Sequence, residues 1–325
     1  MNHSIAPITY KAYGKVNLAL SVLGRRQDGY HEVSTVMAAV DLFDLITVSA
    51  EGSNVSVCCP ALPDLPQEQN LSYRAATKYL SRTDIRAGVH VRIDKGIPAG
   101  GGMGGGSSDA AAVLLALDNV FGSAPGTFAT DAQDEGLISI ARGLGADVPF
   151  FIGPNRAVPA WTAALCTGIG DVVTPVDLGC RNTNADWFWL AVLFLSQGVS
   201  TPWAFSAWDT DNPGKDYASG AERDIRPDAV LRELSSGNAE SLAKVVYNDL
   251  EEPVVKRRGD VARARVALLD VGALNAIMTG SGSTVYGLCR SRSHAEEVRD
   301  KVLELKLGFL SDARVARIKA VEQWN

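Results

Sequence analysis

PAGGGMGGGSSDAA, residues 98–111, sets six glycines in seven positions, Gly100 to Gly102 and Gly104 to Gly106. Glycine loses more backbone freedom on folding than any other residue, so such a density needs a reason. Backbone amides that must approach a ligand closely supply one. Ser107, Ser108 and Asp109 follow as good helix N-caps, and the helix-forming run Ala110 to Leu117 comes next. A glycine loop feeding a helix N-terminus favours anions, because free N–H groups and the helix dipole both attract phosphate. A flexible linker is the plain alternative, but VHVRI (89–93) before the loop reads as a strand and the segment after it as an alanine-rich helix.

The loop lacks the Gly-Lys-Ser/Thr ending of a Walker A motif. Gly100, Gly102 and Gly105 satisfy G-x-G-x-x-G, so an oxidoreductase with a dinucleotide fold is a competing reading. That match arises by accident from near-contiguous glycines, and no strand ending in an acidic residue follows at the usual distance.

Working outward, 325 residues suffice for two lobes of ordinary domain size, and 46% hydrophobic with 21% charged residues is a globular composition. The net charge of −6 argues against sequence-independent nucleic-acid binding. No apolar run reaches membrane-spanning length, and MNHSIAPITYKAYGK has no signal-peptide core, so a cytoplasmic protein without a membrane partner is expected. Cys58, Cys59, Cys166, Cys180 and Cys289 show no C-x-x-C spacing, which predicts reduced thiols and no zinc site.

The order of elements is mixed, so an α+β fold is expected. Residues 8–24 alternate as strands, GRRQDGYHE (24–32) is rich in turn formers, and LFDLITVSA (42–50) and NVSVCC (54–59) are strand-like. LSYRAATKYLSRT (71–83) reads as a helix, and further helices are expected from 108 and near 132–144. Beyond Gly168 and Gly170, WFWLAVLFL (187–195) is the clearest buried strand. Helices near 228–235, 239–247, 260–271 and 293–306 alternate with strands at 284–289 and 313–321. Gly153, Pro154 and Pro159 mark a boundary near 155–170, dividing the chain into 1–162 and 163–325.

Four other segments carry candidate chemistry. Lys15 lies inside the apolar AYGKVNLAL (12–20), either as an edge lysine whose amine reaches water or as a charge held to neutralise phosphate. DGYHE (28–32) puts Tyr30 and His31 on a glycine turn, where they either pack on the body or stack on and hydrogen-bond a flat ring. In LGADVPFFI (144–152) Asp147 precedes Pro149, as a helix cap or as a general base. MTGSGSTVYG (278–287) is a second glycine-serine turn, either ordinary or closing the phosphate site.

In combination and in order, KVNLAL (15–20) with GRRQDGYHE (24–32), QNLSYRAA (69–76), IPAGGGMGGGSSDAA (97–111), LGADVPFF (144–151), GVSTP (198–202), NDLE (248–251) and TGSGST (279–284) resemble the GHMP kinase superfamily. KVNLAL with DGYH resembles, more narrowly, its branch that phosphorylates a cytidine diphosphate ester of methylerythritol in non-mevalonate isoprenoid synthesis. The resemblance implies a two-lobed α+β fold, an S5-like N-terminal lobe carrying the ATP loop and a ferredoxin-like C-terminal lobe, with the acceptor between them. It also implies phosphoryl transfer from ATP, with Mg²⁺, to the 2-hydroxyl of the methylerythritol unit.

By the same resemblance Asp147 takes the hydroxyl proton, while Lys15 holds it ionised and helps neutralise the γ-phosphate. Pro98, Gly100, Gly101, Gly102, Gly104, Gly105, Gly106, Ser107 and Ser108 match the loop around the ATP phosphates, with Ser107 or Ser108 towards the metal-bound phosphate. Asn70 and Lys95 match positions near the adenosine. Tyr30 and His31 match residues that stack on and hydrogen-bond cytosine, Asn17 lies beside the acceptor hydroxyls, and Phe205, ahead of Trp203, is the second aromatic. The chain departs from the family in Tyr13-Gly14 before the lysine, where Pro-Ala is common, in Met103 for leucine and in Asp109 for a frequent asparagine. A GHMP kinase for another small alcohol and a catalytically silent binder on the same fold are the remaining alternatives.

Overall fold

The computed structural model describes residues 5–122, 135–156, 161–176, 188–217 and 224–318. Cys180, Pro159 and parts of the expected elements (residues 132–134, 187 and 319–321) lie outside them.

In chain order the elements are β1 (Ile5–Arg25), β2 (His31–Ala50), β3 (Val55–Cys58), α1 (Leu71–Thr83), β4 (Val89–Asp94), α2 (Gly105–Phe121), α3 (Glu135–Arg142) and α4 (Val148–Phe151). Next come β5 (Ala163–Thr167), β6 (Val172–Pro175), β7 (Trp189–Leu195), α5 (Thr201–Asp211), α6 (Arg226–Ser236), α7 (Ala239–Ala243), β8 (Tyr247–Asn248) and α8 (Glu251–Val255). The chain ends with α9 (Gly259–Asp270), β9 (Asn275–Met278), β10 (Val285–Cys289), α10 (Arg292–Glu304) and β11 (Leu310–Arg317). The fold is α+β.

Two compact units form, and neither is one continuous stretch. The first holds Met1–Gly14, Leu42–Ile97 and Gly104–Ala160; the second holds Lys15–Asp41, Pro98–Met103 and Trp161–Asn325. Strands β1 and β2 each pass from one to the other, as does the glycine loop between Met103 and Gly104. One border, after Ala160, falls in the glycine- and proline-rich span.

In the first unit Val89, Val91 and Ile93 alternate inward along β4, which pairs antiparallel with the end of β2 and parallel with β3. Asn70 caps α1 by accepting the Ser72 amide at 2.9 Å, and the helix stops where Asp84 turns left-handed at φ 52°. Its apolar face, with Ala75, Ala76, Tyr79 and Leu80 buried, lies along α2. Helix α2 is buried from Ser108 to Asp118, an apolar rod closed in on all sides.

In the second unit β7, β9, β10 and β11 form an antiparallel sheet in the order β11-β7-β10-β9. Helices α9 and α10 pack on it, between the first and second and the third and fourth of these strands. This is a βαββαβ arrangement, as in ferredoxin-like folds, with α5 to α8 inserted after its first strand. The WLAVLFL strand supplies its core, Ala191, Leu193 and Leu195 meeting Leu268 of α9 and Val298 and Val302 of α10.

Three expectations need correction. Helix α2 starts at Gly105 instead of 108, with Gly104 at its N-cap in the left-handed region, so Ser107, Ser108 and Asp109 are inside the helix and do not cap it. Propensity loses here to the backbone ladder, which Ser108 N closes onto Gly104 O at 2.9 Å, and a Cβ at Gly105 would lie 3.1 Å from Lys95 Nζ. Residues 239–247 split into α7 and β8, the helix ending at Ala243. Strand β2 begins at His31, directly after the turn, and α4, α5, α8, β5, β6 and β9 carry no clear periodicity in the sequence.

Candidate active site

In the first unit the glycine-led end of α2 meets two groups. Asp147 stands before α4, with Pro149 in that helix's first turn, yet its side chain does not cap α4. Instead a Cβ at Gly104 would lie 2.8 Å from the Phe151 ring and 3.4 Å from Asp147 Oδ2. The carboxylate therefore borders the amide-rich start of α2, and only glycine fits between. Ser108 turns away from that end: Asn155 donates to its hydroxyl and to its carbonyl, each at 3.0 Å, and accepts the Tyr13 amide at 3.0 Å. Ser107 stays partly exposed.

Beneath the same turn lies a buried charge cluster. Lys95 Nζ contacts Asp44 Oδ2 at 2.5 Å and Asp109 Oδ2 at 3.0 Å. Asp44 Oδ1 also accepts the Gly96 and Ile97 amides at 2.6 and 2.7 Å. Asp44 thus accepts from three donors. Asp109 has Lys95 as its donor and a buried Oδ1 without a partner among the described residues. Burial pushes the Asp109 carboxyl up to about 8, Lys95 opposing and Asp44 adding to the shift.

In the second unit Lys15 is buried, at 3% exposure, so its amine does not reach water as an edge lysine would. Nζ donates to Asn17 Oδ1 at 2.6 Å, and the Asn17 amide group donates to Thr35 Oγ1 at 2.8 Å. Thr279 joins this arrangement, accepting the Asn17 amide at 3.0 Å and donating to Asn17 Oδ1 at 3.2 Å. The first half of the glycine loop is tied to the same place. Lys15 N donates to Met103 O at 3.0 Å and Thr284 N to Gly101 O at 3.1 Å. The TGSGST turn thus closes on the loop and on Lys15.

The DGYH turn is shaped by its own polar groups. Arg26 N donates to Tyr30 O at 2.7 Å, and Asp28 Oδ1 accepts the Tyr30 amide at 3.1 Å. Tyr30 is left 62% exposed, while His31 is buried. His31 Nε2 donates to Asp209 Oδ1 at 2.7 Å. Phe205 stacks on the imidazole, centroids 4.7 Å apart and planes 21° apart, and Trp208 meets its edge at 5.8 Å. Asp209, Asn155 and Asp44 were not legible as site residues, since no sequence motif surrounds them.

Asn70 is the cap of α1 and Lys95 is the cation of the buried cluster, both in the first unit; Pro98 opens the loop in the second. Among the described residues, no group of three or more His, Cys, Asp and Glu side chains is placed to hold a metal ion, and no helix is long and apolar enough to cross a membrane.

This is the local anatomy of a phosphoryl-transfer enzyme, and comparison with known proteins agrees. Residues 70–153 match the GHMP kinases N terminal domain and residues 230–305 the GHMP kinases C terminal domain, and the chain is a GHMP small-molecule kinase. Within that superfamily it belongs to the 4-diphosphocytidyl-2-C-methyl-D-erythritol kinase family. The protein of that name from Desulfitobacterium hafniense (strain Y51) is 36% identical over 88% of this chain and 89% of its own. One from Synechococcus sp. (strain JA-3-3Ab) is 34% identical over 90% of this chain and 89% of its own. A crystal structure of 4-(cytidine 5'-diphospho)-2C-methyl-D-erythritol kinase superposes with a TM-score of 0.73 at 30% identity, covering 96% of this chain and all (100%) of that one.

Proposed function

We propose that the protein transfers the γ-phosphoryl group of ATP to the 2-hydroxyl of 4-diphosphocytidyl-2-C-methyl-D-erythritol. The observation that carries the substrate is the DGYH turn: an exposed Tyr30 ring beside an imidazole held by Asp209 suits a flat base with an exocyclic amine. Because the Asp209 carboxylate only accepts, His31 Nε2 carries the hydrogen in this contact and leaves Nδ1 as the ring nitrogen for the base. Tyr30 supplies the stacking face and Phe205 holds the imidazole plane.

At the other end of the acceptor, Asp147 takes the proton as the hydroxyl oxygen bonds to the γ-phosphorus and the bond to the β–γ bridging oxygen breaks, releasing ADP. The amine of Lys15, directed by Asn17 beside the acceptor hydroxyls, offsets negative charge on the transferring group. Backbone amides of Gly100 to Gly102 and Gly104 to Gly106 cradle the phosphates, with the α2 N-terminus adding its dipole. Asn70 and Lys95 border the adenosine side. Ser107 rather than Ser108 would contact a nucleotide-bound Mg²⁺, which would offset phosphate charge, since the Ser108 hydroxyl is held by Asn155.

ATP consumption is measured with this cytidylyl acceptor, with mevalonate, with homoserine and without acceptor. Turnover confined to the cytidylyl compound is expected; turnover with a different alcohol would retain the kinase and discard the base site.

A further inference from the structure

We infer that Asn248 is a positioning residue for phosphoryl transfer, its side-chain amide holding the 279–284 turn in the shape that places the Lys15 amine and residues 98–103 of the glycine loop. The inference rests on the function proposed above.

Asn248 sits at the end of β8 and is buried. Its Nδ2 donates to two main-chain carbonyls at once, Met278 O and Gly280 O, both at 2.8 Å. Its Oδ1 accepts the Leu250 amide at 3.0 Å, which fixes the amide plane and leaves both N–H groups aimed at the turn. Three residues on, Glu251 Oε2 accepts the Met278 amide at 2.6 Å while Oε1 pairs with Arg265 at 3.1 Å. The NDLE segment therefore grips the entry to the turn at Met278 N, Met278 O and Gly280 O.

The opposite side of that grip is the reaction machinery. A Cβ at Gly280 would lie 2.9 Å from Gly102 O, 3.1 Å from Lys15 Nζ and 3.5 Å from Asn17 Oδ1. Thr279, between the two held carbonyls, makes the hydrogen bonds to Asn17. Thr284, at the far end, bonds Gly101 O. A change in the Gly280 carbonyl direction thus reaches the lysine amine and the loop together. An aspartate at 248 keeps the acceptor for Leu250 but loses both donors, setting a carboxylate against two carbonyl oxygens. Among the described residues His31, Asp209 and Phe205 make no hydrogen bond to this turn. The turn meets α5 at its first residue, where Thr201 Oγ1 and Ser281 Oγ lie 3.0 Å apart, one turn or more from Phe205 and Asp209.

The test compares wild type, Asn248→Asp and Asn248→Ser as full-length chains, measuring kcat, KM for the cytidylyl acceptor, calorimetric binding of cytidine diphosphate and thermal unfolding. The expected result is a fall in kcat of at least tenfold in a folded variant, with acceptor KM and cytidine diphosphate affinity within twofold of wild type. A folded variant with kcat within threefold overturns the inference. So does a fall in kcat matched by an equal loss of cytidine diphosphate binding, which marks general loosening, and so does failure of both variants to fold. Wild type is assayed first: if it phosphorylates another alcohol, the substrate reading fails alone and the kcat comparison is made on that alcohol. Wild type without any turnover overturns both.

Discussion

Asp209 holds His31 across 178 residues of sequence, its Oδ1 2.7 Å from the imidazole Nε2. The contact puts hydrogen on Nε2 and fixes the plane of the ring. Asp209→Ala should raise KM for the cytidylyl acceptor roughly tenfold, equivalent to about 1.4 kcal/mol, while sparing kcat and KM for ATP. Steady-state kinetics with each substrate varied in turn provide the check; an unchanged acceptor KM removes Asp209 from base recognition.

Tyr30 is the exposed ring of that turn. Stacking on a base is worth about 1–3 kcal/mol by alanine substitution, so Tyr30→Ala should weaken the cytidylyl acceptor about five- to hundredfold. ATP affinity should stay as it is. Equal losses for both substrates would contradict the stacking role.

Asp147 lies beside Gly104 and leaves the cap of α4 unused. Asp147→Asn preserves shape and removes the base, so turnover should fall by roughly 10²–10⁴-fold. Binding of ATP, followed by calorimetry, should remain near that of wild type. Near-normal turnover in this variant would take Asp147 out of the mechanism.

Within the loop the glycines are unequal. Gly100 and Gly102 both lie at positive φ, +75° and +82°, so alanine strains the backbone at each. Only at Gly102 does a Cβ collide, 2.4 Å from the Thr279 carbonyl oxygen, whereas at Gly100 it meets nothing within 4 Å. Gly102→Ala should raise KM for ATP more than tenfold, and Gly100→Ala should change it far less. Comparable effects at the two positions would show that the approach to Thr279 is not what matters.

Asp109 shifts stability with pH. Its carboxyl is raised by burial to about 8 from 3.8, so the folded state binds a proton that the unfolded chain has lost. This stabilisation is complete below about pH 4 and is lost as pH rises through about 8, with a slope of at most about 1.4 kcal/mol per pH unit. Asp109→Asn is neutral at every pH, so its urea midpoint should gain on that of wild type from pH 5 to pH 8.5. A difference that is the same at both pH values would exclude the shift.

Local signals were read well where one stretch of chain decided the outcome. Helix α1 occupies 71–83 as its periodicity predicts, capped by Asn70 and stopped at Asp84. WLAVLFL forms the strand its apolar run demands, and the loop glycines surround the start of a helix. Helix α2 nevertheless begins three residues early, its first turn closed from Ser108 N to Gly104 O, and there Lys95 and Asp44 lie where a Cβ at Gly105 would point.

The amino-acid order alone determined the glycine loop, the α+β succession and the kinase family, and it singled out Lys15, Asp147 and DGYH as candidates, since each is carried by contiguous residues or by their order. Tertiary structure decided what those residues face. It set Lys15 against Gly280, turned Ser108 into Asn155, put Phe205 on His31 and gave Asn248 its two carbonyls. Hydrogen bonds of about 3 Å between residues tens to hundreds apart leave no periodicity in a chain. They come into being when strands and helices bring remote segments together, and buried polar groups then require partners there.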